Sequence, residues 1–129
     1  MAWSLFRKDG TAQGVAKYRL IESIAAPDKQ VICDPYADLF VRGGWLVKCL
    51  GHGANVRLSS KLAPGLHESV IARTRAIDDL VKECAAAGAS QYLILGAGYD
   101  MRAYRLELPS SLKVFEVDQR EVQELKKSG

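Results

Sequence analysis

The sequence predicts an α/β protein with a parallel sheet of the doubly wound type that begins near residue 91. Two short apolar runs, Tyr92–Leu95 and Val114–Val117, have the continuous hydrophobicity of strands buried in a parallel sheet. Gly96 and Gly98 follow the first run, and Asp118 follows the second. Because open α/β sheets bind ligands outside the carboxyl ends of their strands, we expect a ligand site at these three residues.

Length and composition are typical of one globular domain. The chain has 129 residues, of which 48% are hydrophobic and 26% are charged, so it can form one core but not two. We divide this domain, residues 1–129, into a helical cover (1–90) and the start of a parallel sheet (91–129). Two parallel strands leave both edges of a sheet unpaired, so we expect the chain to be the front portion of a larger domain.

Charge and hydropathy argue against two classes of partner. Eighteen Lys and Arg are interleaved with fifteen Asp and Glu, for a net charge of +3, and no basic block suits a nucleic-acid backbone. The N-terminus lacks the apolar core of a signal peptide, and no apolar run approaches a membrane span. We therefore expect a cytoplasmic protein that binds neither nucleic acid nor membrane.

Cysteine usage gives no sign of a disulfide framework or a metal centre. The three cysteines, Cys33, Cys49 and Cys84, are odd in number and widely spaced, and no C-x-x-C is present. We interpret them as reduced, partly buried thiols and expect no metal site.

The segment before the sheet is predicted to be mostly helical. Residues 11–26 form the first helix, which Pro27 ends. Asp34 suits the N-cap of the next helix and Pro35 its first position. Residues 51–63 are predicted to be a surface loop.

The longest predicted helix covers residues 65–87, and the glycine at position 88 ends it. Its apolar residues fall on one stripe, with Asp78 off that stripe. The stripe consists of Val70, Ile77, Leu80, Val81 and Cys84. One more short helix is predicted at residues 118–127.

The glycine loop only partly matches a dinucleotide-binding fingerprint. That fingerprint needs a third glycine three residues after Gly98, where this chain has Met101. The bulky residues that follow do not suit a pyrophosphate at a helix N-terminus. Asp118 lies twenty residues after Gly98, a spacing at which a carboxylate can bind ribose hydroxyls. An adenosine ligand without pyrophosphate fits better, which points to S-adenosylmethionine.

In combination, these motifs resemble the leucine carboxyl methyltransferase family. The resemblance rests on LGAGYDMRAYRL followed by VFEVDQ, and on VAKYRLIES, DPYADLF and VIARTRAIDDLV upstream. It covers nearly the whole chain from residue 11 to residue 126. It implies a Rossmann-like class I methyltransferase fold, truncated after the second strand, with an N-terminal helical segment.

The resemblance also implies a cofactor site for S-adenosyl-L-methionine. Arg73 would pair with the methionine carboxylate, helped by Lys17 or Arg19, and Asp118 would bind the ribose. The glycine loop would let the backbone lie against the cofactor. The implied cofactor-binding residues are Lys17, Arg19, Arg73, Gly96, Ala97, Gly98 and Asp118. No catalytic residue is implied.

Simpler structural roles remain open for several of these residues. Asp118 and Glu121 have the spacing of a capping box for the last helix. Arg73 could form an ion pair with Asp78 or Glu68 on its own helix. The glycines could form only a tight turn.

Three charged residues and two histidines are assigned no ligand. Asp100, Arg102 and Arg105 are expected to lock their loop through ion pairs rather than to contact a ligand. His52 and His67 are expected to be surface residues. The tryptophans and tyrosines are expected to lie in the core, or in a lid in the case of Trp3 and Tyr18.

The leading hypothesis is an S-adenosylmethionine-dependent O-methyltransferase, with a carboxylate or hydroxyl on a small molecule or protein as acceptor. A carboxylate is already ionised at neutral pH and needs no general base, whereas a hydroxyl does. The alternative is a non-catalytic, truncated fragment that acts as a binding or interaction module. A nicotinamide-dependent oxidoreductase is a third hypothesis, against which Met101 argues.

Overall fold

The computed structural model describes residues 10–129 and has a mixed helix and strand architecture. Trp3, which the sequence suggests as part of a lid, lies outside the described residues. The described elements in chain order are α1 (Gly10–Ser23), a short 3-10 helix (Pro27–Lys29), α2 (Ala37–Phe40), α3 (Gly44–Leu62), α4 (Leu66–Ala86), β1 (Gln91–Leu95), α5 (Arg102–Arg105), β2 (Lys113–Val117) and α6 (Arg120–Ser128).

The two strands form a small parallel sheet, as predicted. In their register Leu93 lies opposite Phe115 and Leu95 lies opposite Val117. These four side chains share one face, and all are exposed, Leu95 by 72%. The prediction that both runs are buried on both faces is therefore wrong, because no element in the described part of the chain covers this face.

Helix α1 lies at the centre of the hydrophobic core. Its inner face carries Ala16, Leu20 and Ile21, which are at most 4% exposed. They pack in one cluster with Phe40 of α2 and with Tyr99, which follows the glycine loop. The rings of Phe40 and Tyr99 are stacked with centroids 4.6 Å apart. The core therefore holds the glycine loop against α1 and α2.

Helix α2 begins later than the sequence suggests. It starts at Ala37 rather than at Pro35, and its N-cap position, Tyr36, makes no side-chain cap hydrogen bond. Asp34 instead closes the preceding turn, because its Oδ1 accepts a hydrogen bond of 3.1 Å from the Tyr36 amide.

The predicted surface loop at residues 51–63 is wrong, because α3 continues through it to Leu62. A kink at Gly51, with φ of 77°, separates two helical parts. The Asn55 side-chain amide donates hydrogen bonds of 2.7 Å to the carbonyls of Val47 and Gly51. Asn55 is 3% exposed, so this polar side chain satisfies carbonyls at the kink inside the protein.

Helix α4 has the predicted bounds to within one residue, and Gly88 (φ 97°) ends it. Its buried face differs from the predicted stripe: Leu80 is 58% exposed and Cys84 is also exposed. The buried residues are His67, Val70, Ile71, Thr74, Asp78 and Ala85. Hydrophobic periodicity misplaces this face because buried polar contacts, described below, fix its rotation.

Two further expectations about burial are wrong. Cys33, Cys49 and Cys84 are free thiols, but all three are exposed rather than partly buried. Trp45, read as a core residue from its type, is 69% exposed. Among residues 10–129, no helix is long and apolar enough to cross a membrane.

Candidate functional site

A cavity of 610 Å³ opens at the carboxyl ends of β1 and β2, between the sheet, α1 and α4. It brings together six of the seven cofactor-binding residues named from the sequence. These are Arg19, Arg73, Gly96, Ala97, Gly98 and Asp118. Lys17 is exposed on α1 and is not among the lining residues.

The glycine loop turns sharply as it leaves β1. Gly96 and Gly98 have φ of 65° and 50°, in the left-handed region that favours glycine. A Cβ at Gly96 would meet no atom within 4 Å, whereas a Cβ at Gly98 would lie 3.2 Å from the Cβ of Ala12. Gly96 thus leaves open space, and Gly98 permits the close approach of α1.

The backbone amides of this loop are already used inside the protein. The amides of Gly96 and Ala97 donate to the carbonyl of Val117 at 2.8 and 3.2 Å. The Gly98 amide donates to Oδ2 of Asp118 at 2.5 Å. Three successive amides therefore point to β2 and its following residue, so the loop does not form the amide cradle that holds a pyrophosphate.

Asp118 lies at the end of β2 and lines the cavity. Besides the Gly98 contact, its Oδ1 accepts a hydrogen bond of 2.6 Å from the Gln119 amide. The N-cap of α6 is Gln119, one residue later than the capping-box alternative requires, and it makes no side-chain cap hydrogen bond. Each carboxylate oxygen retains a lone-pair site, so Asp118 can accept hydrogen bonds from two ligand hydroxyls.

Arg73 reaches the cavity wall from the exposed side of α4. The alternative that it pairs with Asp78 is wrong, because Asp78 pairs with arginines of α5. No described residue forms a hydrogen bond or ion pair with the Arg73 guanidinium. Its five donors are therefore available to a ligand carboxylate.

Arg19 lines the same cavity but is already bonded to protein groups. Its Nε donates to Oδ2 of Asp34 at 2.8 Å, and its Nη2 donates to the carbonyl of Tyr99 at 2.5 Å. The side chains of Arg19 and Asp34 are 8% and 0% exposed. The pairing of Asp34 with Arg19 is not evident from the sequence, because an aspartate before proline first suggests a helix cap.

The predicted ion pairs around the loop are confirmed, with Asp78 as an additional member. Arg102 donates to Asp78 at 2.7 Å and also pairs with Asp100. Arg105 makes a bidentate contact with Asp78, both distances being 2.7 Å. These side chains are at most 13% exposed, so the network ties α4 to α5 in a protected setting.

Two pKa values in this region depart from their usual ranges. Burial opposes the charged form of Arg102, but the nearby carboxylates of Asp100 and Asp78 outweigh it and raise the pKa of this guanidinium. Burial of the Tyr92 hydroxyl, with the negative charge of Asp100 as the next cause, raises the pKa of that phenol.

The prediction of surface histidines is wrong for His67, which is 5% exposed, while the side chain of His52 is 36% exposed. Their Nε2 atoms lie 3.7 and 3.6 Å from Oε2 of Glu22. This cluster joins α1, α3 and α4 and includes no residue of the cavity lining. The histidines therefore belong to the helical packing.

The sequence profile of the leucine carboxyl methyltransferase family matches residues 12–129. This match extends over both strands and the whole cavity lining except for Thr11. The chain belongs to the leucine carboxyl methyltransferase family. The family resemblance inferred from the motifs is confirmed.

Curated relatives in this family carry names that specify the cofactor. A "putative S-adenosyl-L-methionine-dependent methyltransferase" of Rhodococcus jostii strain RHA1 is 38% identical over 97% of this chain and 42% of its own length. A similarly named protein of Mycolicibacterium smegmatis is 39% identical over 96% of this chain and 43% of its own length. One of Streptomyces avermitilis is 32% identical over 84% of this chain and 38% of its own length. The chain thus spans about two fifths of the length of these relatives.

Proposed function

We propose that this chain is the cofactor-binding N-terminal portion of an S-adenosyl-L-methionine-dependent O-methyltransferase with a Rossmann-like fold. The observation that carries the proposal is the position of Asp118. It follows a parallel strand, is bonded to the glycine loop and faces a cavity whose wall carries Arg73, which has no bonded partner within residues 10–129. The family match and the names of the relatives support the same cofactor.

In the proposed site, Asp118 accepts hydrogen bonds from the ribose hydroxyls and Arg73 pairs with the methionine carboxylate. Gly96 and Ala97 let the ligand lie close to the end of β1, since a side chain at Gly96 would occupy that open space. Lys17 is outside the cavity lining, so we leave it out of the proposed contacts.

The cofactor supplies a methyl group on a positively charged sulfur, which is a good leaving group. The task of the protein is then to align the acceptor with that methyl group and to exclude water. The cavity carboxylates of Asp100 and Asp118 already accept hydrogen bonds from Arg102 and Gly98. We assign neither as a general base, and this favours an acceptor that is already ionised, such as a carboxylate or an acidic hydroxyl.

A non-catalytic interaction module is the second candidate. The observation that favours it is the exposed face of the sheet, where Leu93, Leu95, Phe115 and Val117 are 49–72% exposed in the described part of the chain. Apolar patches of this kind mark interaction surfaces. A nicotinamide dinucleotide is disfavoured, because the loop amides are directed to Val117 and Asp118.

Calorimetric titration of the folded chain with S-adenosylmethionine, beside NAD, tests the proposal. Arg73→Ala should weaken binding about tenfold or more because it removes a charge-assisted contact. Arg75→Ala is the matched control, since Arg75 lies on the same helix, pairs with Asp79 and does not line the cavity. Binding of NAD instead, or no binding of either ligand to a chain shown to be folded, would contradict the cofactor assignment.

Cytoplasmic location and the absence of nucleic-acid partners stay predictions. Both are tested by fractionating cells that express the chain and by measuring whether it is retained on immobilised DNA or RNA at low ionic strength.

A further inference from the structure

We propose that Arg19 and Asp34 act together as a positioning pair, which fixes the glycine loop in the conformation that the cofactor needs. In this role Arg19 does not bind the methionine carboxylate but acts through the backbone of Tyr99. The expected effect of this pair on cofactor affinity rests on the proposed function. Its expected effect on the loop rests on the contacts alone.

Arg19, Asp34 and Ser23 are joined by a closed set of hydrogen bonds. Its Nε donates to Asp34, and the backbone amide of Asp34 donates to Oγ of Ser23 at 2.8 Å. The Ser23 hydroxyl in turn donates to the carbonyl of Arg19 at 2.7 Å. Both ends of the arginine are therefore fixed relative to the loop that carries Asp34.

Arg19 also contacts the glycine loop. The guanidinium donates to the Tyr99 carbonyl, eighty residues away in sequence, while the adjacent Gly98 amide donates to Asp118. Consecutive residues of the loop are thus held from opposite sides, by α1 and by the end of β2. Loss of the Arg19 contact should loosen the loop at Tyr99 and, with it, the Gly98–Asp118 bond that orients the proposed ribose acceptor.

The two arginines that line the cavity differ in exposure and in bonded partners. Arg73 is exposed and has no partner among the described residues, whereas Arg19 is buried against a carboxylate that is 0% exposed. A ligand carboxylate at Arg19 would have to compete with the fixed charge of Asp34. Asp34 itself does not line the cavity, so any effect of its substitution on cofactor affinity is indirect, and Arg19 is its bonded partner on the cavity wall.

The test compares Arg19→Lys with Asp34→Asn. A lysine keeps the charge but cannot donate in two fixed directions to Asp34 and Tyr99. Asp34→Asn leaves Arg19 intact and removes the charge of its partner. We expect each variant to speed hydrogen exchange at the Gly98 amide of the cofactor-free protein about tenfold, relative to amides of α4.

Both variants should also weaken S-adenosylmethionine binding about tenfold. Arg120→Lys, in an exposed pair on α6, is the control for an arginine-to-lysine change. If Arg19 instead bound the cofactor directly, Asp34→Asn would leave the affinity unchanged or raise it, and that result would overturn the proposal. Unchanged exchange at Gly98 in both variants would also overturn it.

Ser23→Ala is a milder variant for use if the others do not fold. It removes only the hydroxyl that orients Asp34, and a twofold to threefold rise in exchange is expected, at roughly the cost of one neutral hydrogen bond. If the wild-type chain binds no S-adenosylmethionine, the proposed function fails while the exchange experiment still decides the role of the pair.

Discussion

Oδ2 of Asp118 accepts a hydrogen bond of 2.5 Å from the backbone amide of Gly98, twenty residues earlier in the chain. The contact joins the end of β2 to the loop that follows β1. The twenty-residue spacing between Gly98 and Asp118 thus places one carboxylate where it both orients the loop and faces the cavity.

Asp118→Asn should lower the affinity for S-adenosylmethionine by roughly tenfold to a hundredfold without unfolding the chain. The asparagine oxygen can still accept from Gly98, although the side-chain NH2 group then replaces the oxygen that accepts from Gln119. The negative charge that strengthens bonds to the ribose hydroxyls is lost. Calorimetric titration measures the change, with Glu124→Gln on the exposed side of α6 as control. Equal affinity in wild type and Asp118→Asn would remove this residue from the site.

Asp78→Asn should destabilise the fold by about 3–5 kcal/mol, because it leaves the guanidinium groups of Arg102 and Arg105 buried without their shared carboxylate. Asp79→Asn is the matched control in the next position. Asp79 pairs with Arg75 on the surface, where both side chains are 55% exposed, so its loss should cost only about 0.3–0.5 kcal/mol. Urea unfolding measures both, and equal losses would contradict the importance of the buried network.

Gly96→Ala and Gly98→Ala should differ in cost. Both positions have positive φ, which costs an alanine about 1–2 kcal/mol. Gly98→Ala should cost more, because its Cβ would also crowd Ala12 at 3.2 Å. Adding Ala12→Gly to Gly98→Ala should recover the destabilisation that comes from crowding Ala12, but not the cost of placing an alanine at positive φ. A double-mutant cycle of unfolding free energies measures this coupling. Lack of coupling would show that α1 does not press on the loop.

Tyr92→Phe should make stability less sensitive to alkaline pH. Burial raises the pKa of Tyr92 in the folded state above its unfolded value of 10.0. The stabilisation that comes from keeping the phenol neutral is therefore complete below about pH 10 and is lost as pH rises through the folded-state pKa. Thermal unfolding between pH 9 and pH 11 should show a shallower decline for Tyr92→Phe. Tyr104→Phe, which changes an exposed tyrosine, is the control, and the same slope in all three proteins would contradict the assignment.

The sheet, the glycine loop and Asp118 could be predicted because each depends on local sequence. A short apolar run, a glycine pair and an acidic residue at the end of the second run together indicate a parallel pair with a site at one edge. The same local logic predicted the bounds of α4 and the ion pairs of Arg102 and Arg105.

The helix across residues 51–63 could not be predicted, because Gly51 and Gly53 reduce helix propensity. In addition, the carbonyls at the kink are bonded by a side chain of the same helix. Asn55 makes the two bonds that keep the segment helical, and nothing in its neighbourhood marks it for that role. A side-chain contact within α3 thus outweighs the unfavourable helix propensity of the two glycines.

The rotation of α4 and the role of Arg19 were hidden for a similar reason. Asp78 lies off the apolar stripe, yet its pairing with α5 turns it inward, to 4% exposed. Arg19 and Asp34 are fifteen residues apart and meet Tyr99 only in the folded chain. Buried charge pairs of this kind leave no periodic signal in a sequence.

A crystal structure of the chain with S-adenosylhomocysteine, the product form of the proposed cofactor, would show directly whether Asp118 and Arg73 hold the ligand. We expect the ribose hydroxyls within hydrogen-bond distance of Asp118 and the amino-acid carboxylate at Arg73, with Arg19 still bonded to Asp34 and Tyr99. Ligand density outside this cavity, or a ribose that does not touch Asp118, would contradict it.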